Sequence, residues 1–115
     1  MNEIENKYLQ QIIVGQLLLS SYDRVVIVGS LVEYKELIGP IKESLSIIGL
    51  HPSNNNIKTI RYDEVNSEII FKRNIRYVCG LAPSLLIDLN QTHNDESNQI
   101  VGAMTRTKIV RKYYE

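Results

Sequence analysis

Cysteine, histidine, tryptophan and net charge are all scarce in this sequence, and each scarcity excludes something. Among 115 residues there is one cysteine, Cys79, so no disulfide can form within the chain. The two histidines, His51 and His93, stand far apart, and neither has further ligands at metal-site spacing. Tryptophan is absent, and phenylalanine occurs once. The 13 Lys and Arg balance 13 Asp and Glu, so the overall field neither gathers nucleic acid nor repels it. Long apolar runs are missing: the longest is residues 25–28 followed by Gly29, far short of a membrane span. The start, Met1-Asn2-Glu3-Ile4-Glu5, is acidic and lacks the basic-then-apolar pattern of a signal peptide. The expectation is a cytoplasmic chain with no membrane partner.

What is present suits one domain over residues 1–115. An apolar content of 43% is ordinary for a packed core, so neither disulfides nor metal are needed for stability. Asn2 with Glu5 has the spacing of a capping box. Residues 3–20 then repeat Ile4, Tyr8, Ile12, Ile13 and Leu17 at helical spacing, a stripe wide enough to pack on a sheet. Arg24-Val25-Val26-Ile27-Val28-Gly29 is the clearest strand, a β-branched run of the kind buried on both faces of a parallel sheet. A helix follows from Leu31, interrupted at Gly39-Pro40, with Pro40 opening a second piece that ends at the Gly49 cap.

Residues 51–56 are polar loop, and 57–62 a short strand. Residues 68–73 and 75–79 form a hairpin about Arg73-Asn74, which makes Cys79 a buried, inert strand thiol. Residues 84–89 read as strand or helix, 96–104 as helix with Asp95 as its N-cap, and 107–114 as strand, with a helix the alternative. This order predicts an α/β fold: a mixed, mostly parallel sheet with flanking helices in a single three-layer domain.

Three features touch on chemistry. Gly29-Ser30 turns from a buried strand into a helix, where backbone N–H groups can meet an anion. A phosphate loop would carry more glycine and a lysine, so a structural turn explains the same residues. His93, Asp95 and Glu96 lie near Asp88, but a solvated loop capping the next helix accounts for them without metal. Arg106, Lys108, Arg111 and Lys112 with Tyr113 and Tyr114 mix cations with aromatics, as single-strand nucleic-acid surfaces do. On a strand, Arg106, Lys108, Lys112 and Tyr114 would face one way, with Ile109, Arg111 and Tyr113 opposite. Such a basic face also guards an edge strand against aggregation.

The succession of residues 10–19, of Arg24-Val25-Val26-Ile27-Val28-Gly29 and of a helix through Tyr34-Lys35-Glu36-Leu37-Ile38 resembles a P-loop motor core. Helicases and viral DNA-packaging (terminase) ATPases share that core. Residues 68–81 are similar to the hairpin before its Walker B strand, and Leu85-Leu86-Ile87-Asp88 resembles that strand. Residues 95–107 with Lys108-Ile109-Val110 resemble the next helix and strand. The resemblance implies that Asp88 stands at a metal-coordinating position. Two parts are missing: no GxxxxGK[ST] occurs, and Leu89 replaces the catalytic glutamate. A relative so altered would not hydrolyse ATP.

The functional expectation is therefore a small non-enzymatic binding or assembly module with no cofactor, no catalytic residue and no metal. Its partner would be a protein or a second copy, with nucleic acid a candidate at Arg106, Lys108, Arg111, Lys112 and Tyr114. Against it stands a nucleotide- or phosphate-dependent enzyme using Gly29, Ser30 and Asp88. A homodimeric structural protein joined through an edge strand is a third reading.

Overall fold

A computed structural model describes residues 2–19, 23–90 and 94–111. Its centre is β1, Asp23–Val28, flanked by parallel neighbours on both sides: β4, Ser67–Lys72, and β5, Leu85–Asp88. Val25, Val26, Ile27 and Val28 are wholly buried, as the β-branched run predicts. Beyond β4 lie antiparallel β3, Thr59–Tyr62, and β2, Asn54–Asn55. Beyond β5 lies parallel β6, Lys108–Arg111. The six-stranded sheet thus runs β2-β3-β4-β1-β5-β6 and is mixed but mostly parallel, the expected α/β class.

Helices cover both faces. On one, α1 (Glu3–Leu19) and α2 (Leu31–Ile47) pack Leu9, Ile13, Leu17, Leu37, Ile41 and Leu45 against Val25, Ile27, Leu85 and Ile87. On the other, the 3-10 turn Ile75–Val78 and the short α3 (Asp95–Gly102) cover Val26, Val28 and Leu86. Register is reinforced by charge: Glu68 on β4 takes Arg24 of β1 at 2.8 Å and Arg61 of β3 at 3.9 Å, each directly opposite it.

Local chemistry explains the boundaries. Asn2 Oδ1 accepts from Glu5 N at 2.8 Å and caps α1. Gly49, at φ 88°, ends α2: its N–H reaches Ser46 O at 3.0 Å, and Leu50 N reaches Leu45 O at 2.9 Å. Those two bonds make a Schellman motif.

Three expectations are corrected. First, α2 does not break at Gly39-Pro40 but runs unbroken from Leu31 to Ile47. Proline at 40 cannot donate to Glu36 O, yet Asn6 Nδ2 from α1 donates there at 3.2 Å. A neighbouring helix thus supplies the missing donor. Second, residues 75–79 are not a strand. Asn74 Oδ1 caps Arg76 N at 3.0 Å, and Ile75 and Val78, three residues apart, turn inward on a 3-10 period. The hairpin is instead β3–β4, turning through Asp63–Val65 and Asn66 at φ 51°. Third, Cys79 is exposed, because it follows that turn instead of lying in the sheet.

Candidate anion-binding site

Parallel strands align their carboxyl ends, and open α/β sheets bind ligands beyond those ends, where connections leave in opposite directions. Here the chain leaves β1 toward β4, then passes over to β5 and on to β6. The opening therefore falls between Gly29 and Asn90.

Pairing continues just past the strands: Gly29 N donates to Lys72 O at 3.1 Å, and Leu89 N to Val28 O at 2.8 Å. These bonds draw Gly29 onto Leu89. A Cβ at position 29 would lie 2.8 Å from Leu89 Cβ, so the turn needs glycine for this close approach. Ser30 then caps α2. Its Oγ accepts from Glu33 N at 3.2 Å and donates to Glu33 Oε1 at 3.2 Å. Tyr34 N bonds Ser30 O at 3.0 Å, so the N–H groups of Leu31 and Val32 precede the first intrahelical bond.

These residues meet Arg73 and Asn90 around a crevice of about 410 Å³ whose lining holds no carboxylate. Arg73 is exposed and makes no ion pair with any described residue. A second hollow of about 200 Å³ shares Arg73 and Asn90 and adds Asn74, Arg76, Asn94 and Ser97. Its one acid, Glu96, is paired with Arg76 at 3.1 Å. Asn94, not Asp95, caps α3: its Oδ1 accepts from Ser97 N at 2.8 Å. Two helices therefore begin at the same edge, each with the positive end of its dipole there.

Gly29 and Ser30 line the crevice. Asp88 ends β5 but is 1% exposed and held within the fold. Its Oδ1 accepts from Asn90 N at 3.0 Å, and its Oδ2 faces Arg111 Nε at 3.4 Å. Arg111 also donates to Asn98 Oδ1 at 2.9 Å and Ser97 Oγ at 3.3 Å, so its guanidinium ties β6 to β5 and α3. Arg106 and Lys108 are exposed at the opposite, amino edge, since Lys108 starts β6 beside Leu85. Lys112, Tyr114 and His93 lie outside the described residues. Among the described residues no three His, Cys, Asp or Glu stand together as a metal would require.

Arg73 and Asn90 escaped the sequence reading. Each merely follows a strand, and only the sheet order brings them to Ser30. The usable signal was position: the residues after each parallel strand define a binding edge. No protein-family model, curated protein or solved structure matches the chain.

Proposed function

We propose that this chain is a small non-enzymatic binding module that holds a phosphate-bearing ligand at the carboxyl edge of its parallel strands. One observation carries the reading: the first turn of α2, Arg73 and Asn90 converge on a single crevice with no acid in its lining. Backbone N–H groups at a helix start favour an anion, and an arginine with no ion pair among the described residues adds a charge-assisted, bidentate donor.

The reading is non-enzymatic because the lining of the crevice offers serine, asparagine and arginine but no acid, and the Glu33 carboxylate bonded to Ser30 Oγ is held in the N-cap of α2. Asp88, the nearest carboxylate on β5, is already engaged by Arg111 and Asn90. It also extends the P-loop resemblance. With Leu89 for glutamate such a frame would leave a bound phosphate intact, and the grip would come from the first turn of α2 and Arg73 in place of a phosphate loop.

The test is a thermal melt with inorganic pyrophosphate or ATP, with and without magnesium. A ligand that binds only the native state raises Tm by mass action. We expect a rise at low salt that shrinks as salt increases and vanishes in Arg73→Glu, whose own Tm without ligand is unchanged. No rise at millimolar ligand, or a rise that survives Arg73→Glu, rejects the reading.

A second reading keeps nucleic acid at the amino edge, supported by Arg106 and Lys108, both exposed and neither ion-paired to a described residue. The two readings separate by variant. Oligonucleotide binding lost in Arg106→Glu/Lys108→Glu but kept in Arg73→Glu belongs to the amino edge.

A further inference from the structure

A hollow of about 590 Å³ opens on the α3 face, toward the amino edge where the chain enters β5 and β6. Three stretches of chain line it: Val78 and Gly80 at the end of the 3-10 turn, Pro83 before β5, and Ile100, Ala103 and Met104 in and after α3. A protein interface engages roughly 20–30 residues on each side. The 13 residues lining this hollow are too few for one, while its volume falls in the range of about 300–1,000 Å³ typical of small-molecule sites.

An adjoining hollow of about 280 Å³ continues it, and the two share Ala82, Pro83, Arg106 and Thr107. The junction is strained. Ala82 stands at φ 47°, in the left-handed region that a residue with a Cβ rarely adopts. It also precedes Pro83, and a residue before proline is pushed toward extended backbone. Strain of this kind persists only where the surrounding structure over-determines it, and it gathers at ligand clamps.

Charge differs between the two compartments. The smaller one has Arg24 and Arg106 and no acid in its lining. Arg24 is held by Glu68 at 2.8 Å. Arg106 is exposed and makes no ion pair with any described residue. In the larger compartment the one acid, Glu96, is already paired with Arg76 at 3.1 Å. The net demand is for an anion at one end and apolar surface at the other. No aromatic side chain lines either compartment, so a stacked nucleobase finds no platform.

We infer that this double hollow binds an amphipathic organic anion, an aliphatic carboxylate with its chain along Ile100, Ala103 and Met104 and its head on Arg106. The chain gains by leaving water, and the carboxylate gains a charge-assisted, bidentate bond from the guanidinium.

The test is a titration of the full chain with decanoate, decanol and acetate, read by the methyl NMR signals of Ile100 and Met104. Decanoate should shift both signals saturably and raise Tm, since it binds the native state alone. It should bind at least about tenfold more tightly than decanol, a difference of about 1.4 kcal/mol. Acetate, a head without a chain, should do neither. Arg106→Glu should erase the advantage of decanoate over decanol, and Ala103→Trp should fill the hollow and abolish both. Each replaces an exposed side chain, so folding is kept. Equal binding of decanoate and decanol, no methyl shift, or a shift that survives Ala103→Trp overturns the proposal. So does a concentration-dependent dimer that Ala103→Trp disrupts, because the occupant is then a second copy.

Discussion

The two faces of the sheet are built to different standards. The face under α1 and α2 is closed by two helices of 17 residues each and a continuous buried cluster. The face under α3 has an eight-residue helix and one 3-10 turn, and among the described residues five buried apolar side chains make up its core. A groove of about 590 Å³ opens there between Val78, Pro83, Ile100 and Met104, with Cys79 at its rim. The difference teaches where stability resides. Hydrophobic stabilisation scales with apolar area removed from water, so the first face should carry most of it. The second face is left free to bear the start of α3, one wall of the binding edge.

The largest expected effect tests that contrast directly. Ile27 is fully buried on the first face, and truncating it leaves a cavity between strand and helices. Ile27→Ala should cost about 2–5 kcal/mol. Ile100 on α3 is only half-buried, so Ile100→Ala should cost about 1 kcal/mol, in proportion to the area it covers. Urea titrations with unchanged slopes would measure both. Equal losses would mean that the two faces are energetically alike.

How far the fold was legible follows the same division. On the first face the rules act locally: β-branched residues make β1, Asn2 caps α1 and Gly49 ends α2. On the second face tertiary context intervened. Ile75, Tyr77 and Cys79 alternate with Arg76 and Val78 in a way that suits a strand, and only the Asn74 cap and the Ile75–Val78 spacing of three reveal the 3-10 turn. Pro40 misled for a related reason, since the donor that rescues Glu36 O is 30 residues away on α1. The candidate site was legible by a third. Gly29-Ser30 shows as a strand-to-helix turn, but Arg73 and Asn90 join it only through strand order. Asp88 was visible as a strand-end carboxylate, and its pairing with Arg111 was not.

A smaller effect separates the faces by pH. The first face buries two tyrosines, Tyr34 at 2% exposure and Tyr62 at none, and neither hydroxyl finds a hydrogen-bond partner among the described residues. Tyr34 lies flat against Phe71, ring centroids 4.4 Å apart. Burial, reinforced by nearby Tyr62, pushes Tyr34 from 10.0 to about 12. Burial, with Glu64 adding to it, raises Tyr62 as well. The unfolded chain then releases these protons near pH 10 while the folded chain still holds them. Stability is complete below pH 10 and falls as pH rises toward 12. Tyr34 alone would contribute a loss on the order of 2 kcal/mol across that window. Tyr34→Phe should flatten the alkaline decline and leave stability near neutrality almost unchanged, because the hydroxyl it removes has no partner to lose. Urea midpoints at pH 8 and at pH 11 for both proteins decide it. Parallel declines would show that burial on this face does not hold the proton.

The smallest effect concerns what keeps the first face continuous. α2 crosses Pro40 without breaking because Asn6 Nδ2 fills the place of the missing amide at Glu36 O. Asn6→Ala should therefore cost about 1 kcal/mol, the usual net worth of one hydrogen bond. The same substitution also removes an acceptor for Gln10 Nε2, so the single variant is ambiguous. Pro40→Ala resolves it. An amide at position 40 can donate to Glu36 O within the helix, which makes the donation from Asn6 redundant. In that background the cost of Asn6→Ala should fall to about half or less, and the difference between the two costs is the coupling energy of the rescue. The Gln10 contribution is common to both backgrounds and cancels. If Asn6→Ala costs the same with and without the proline, the bond to Glu36 O is incidental. Packing of α1 on α2 would then by itself carry the helix through Pro40.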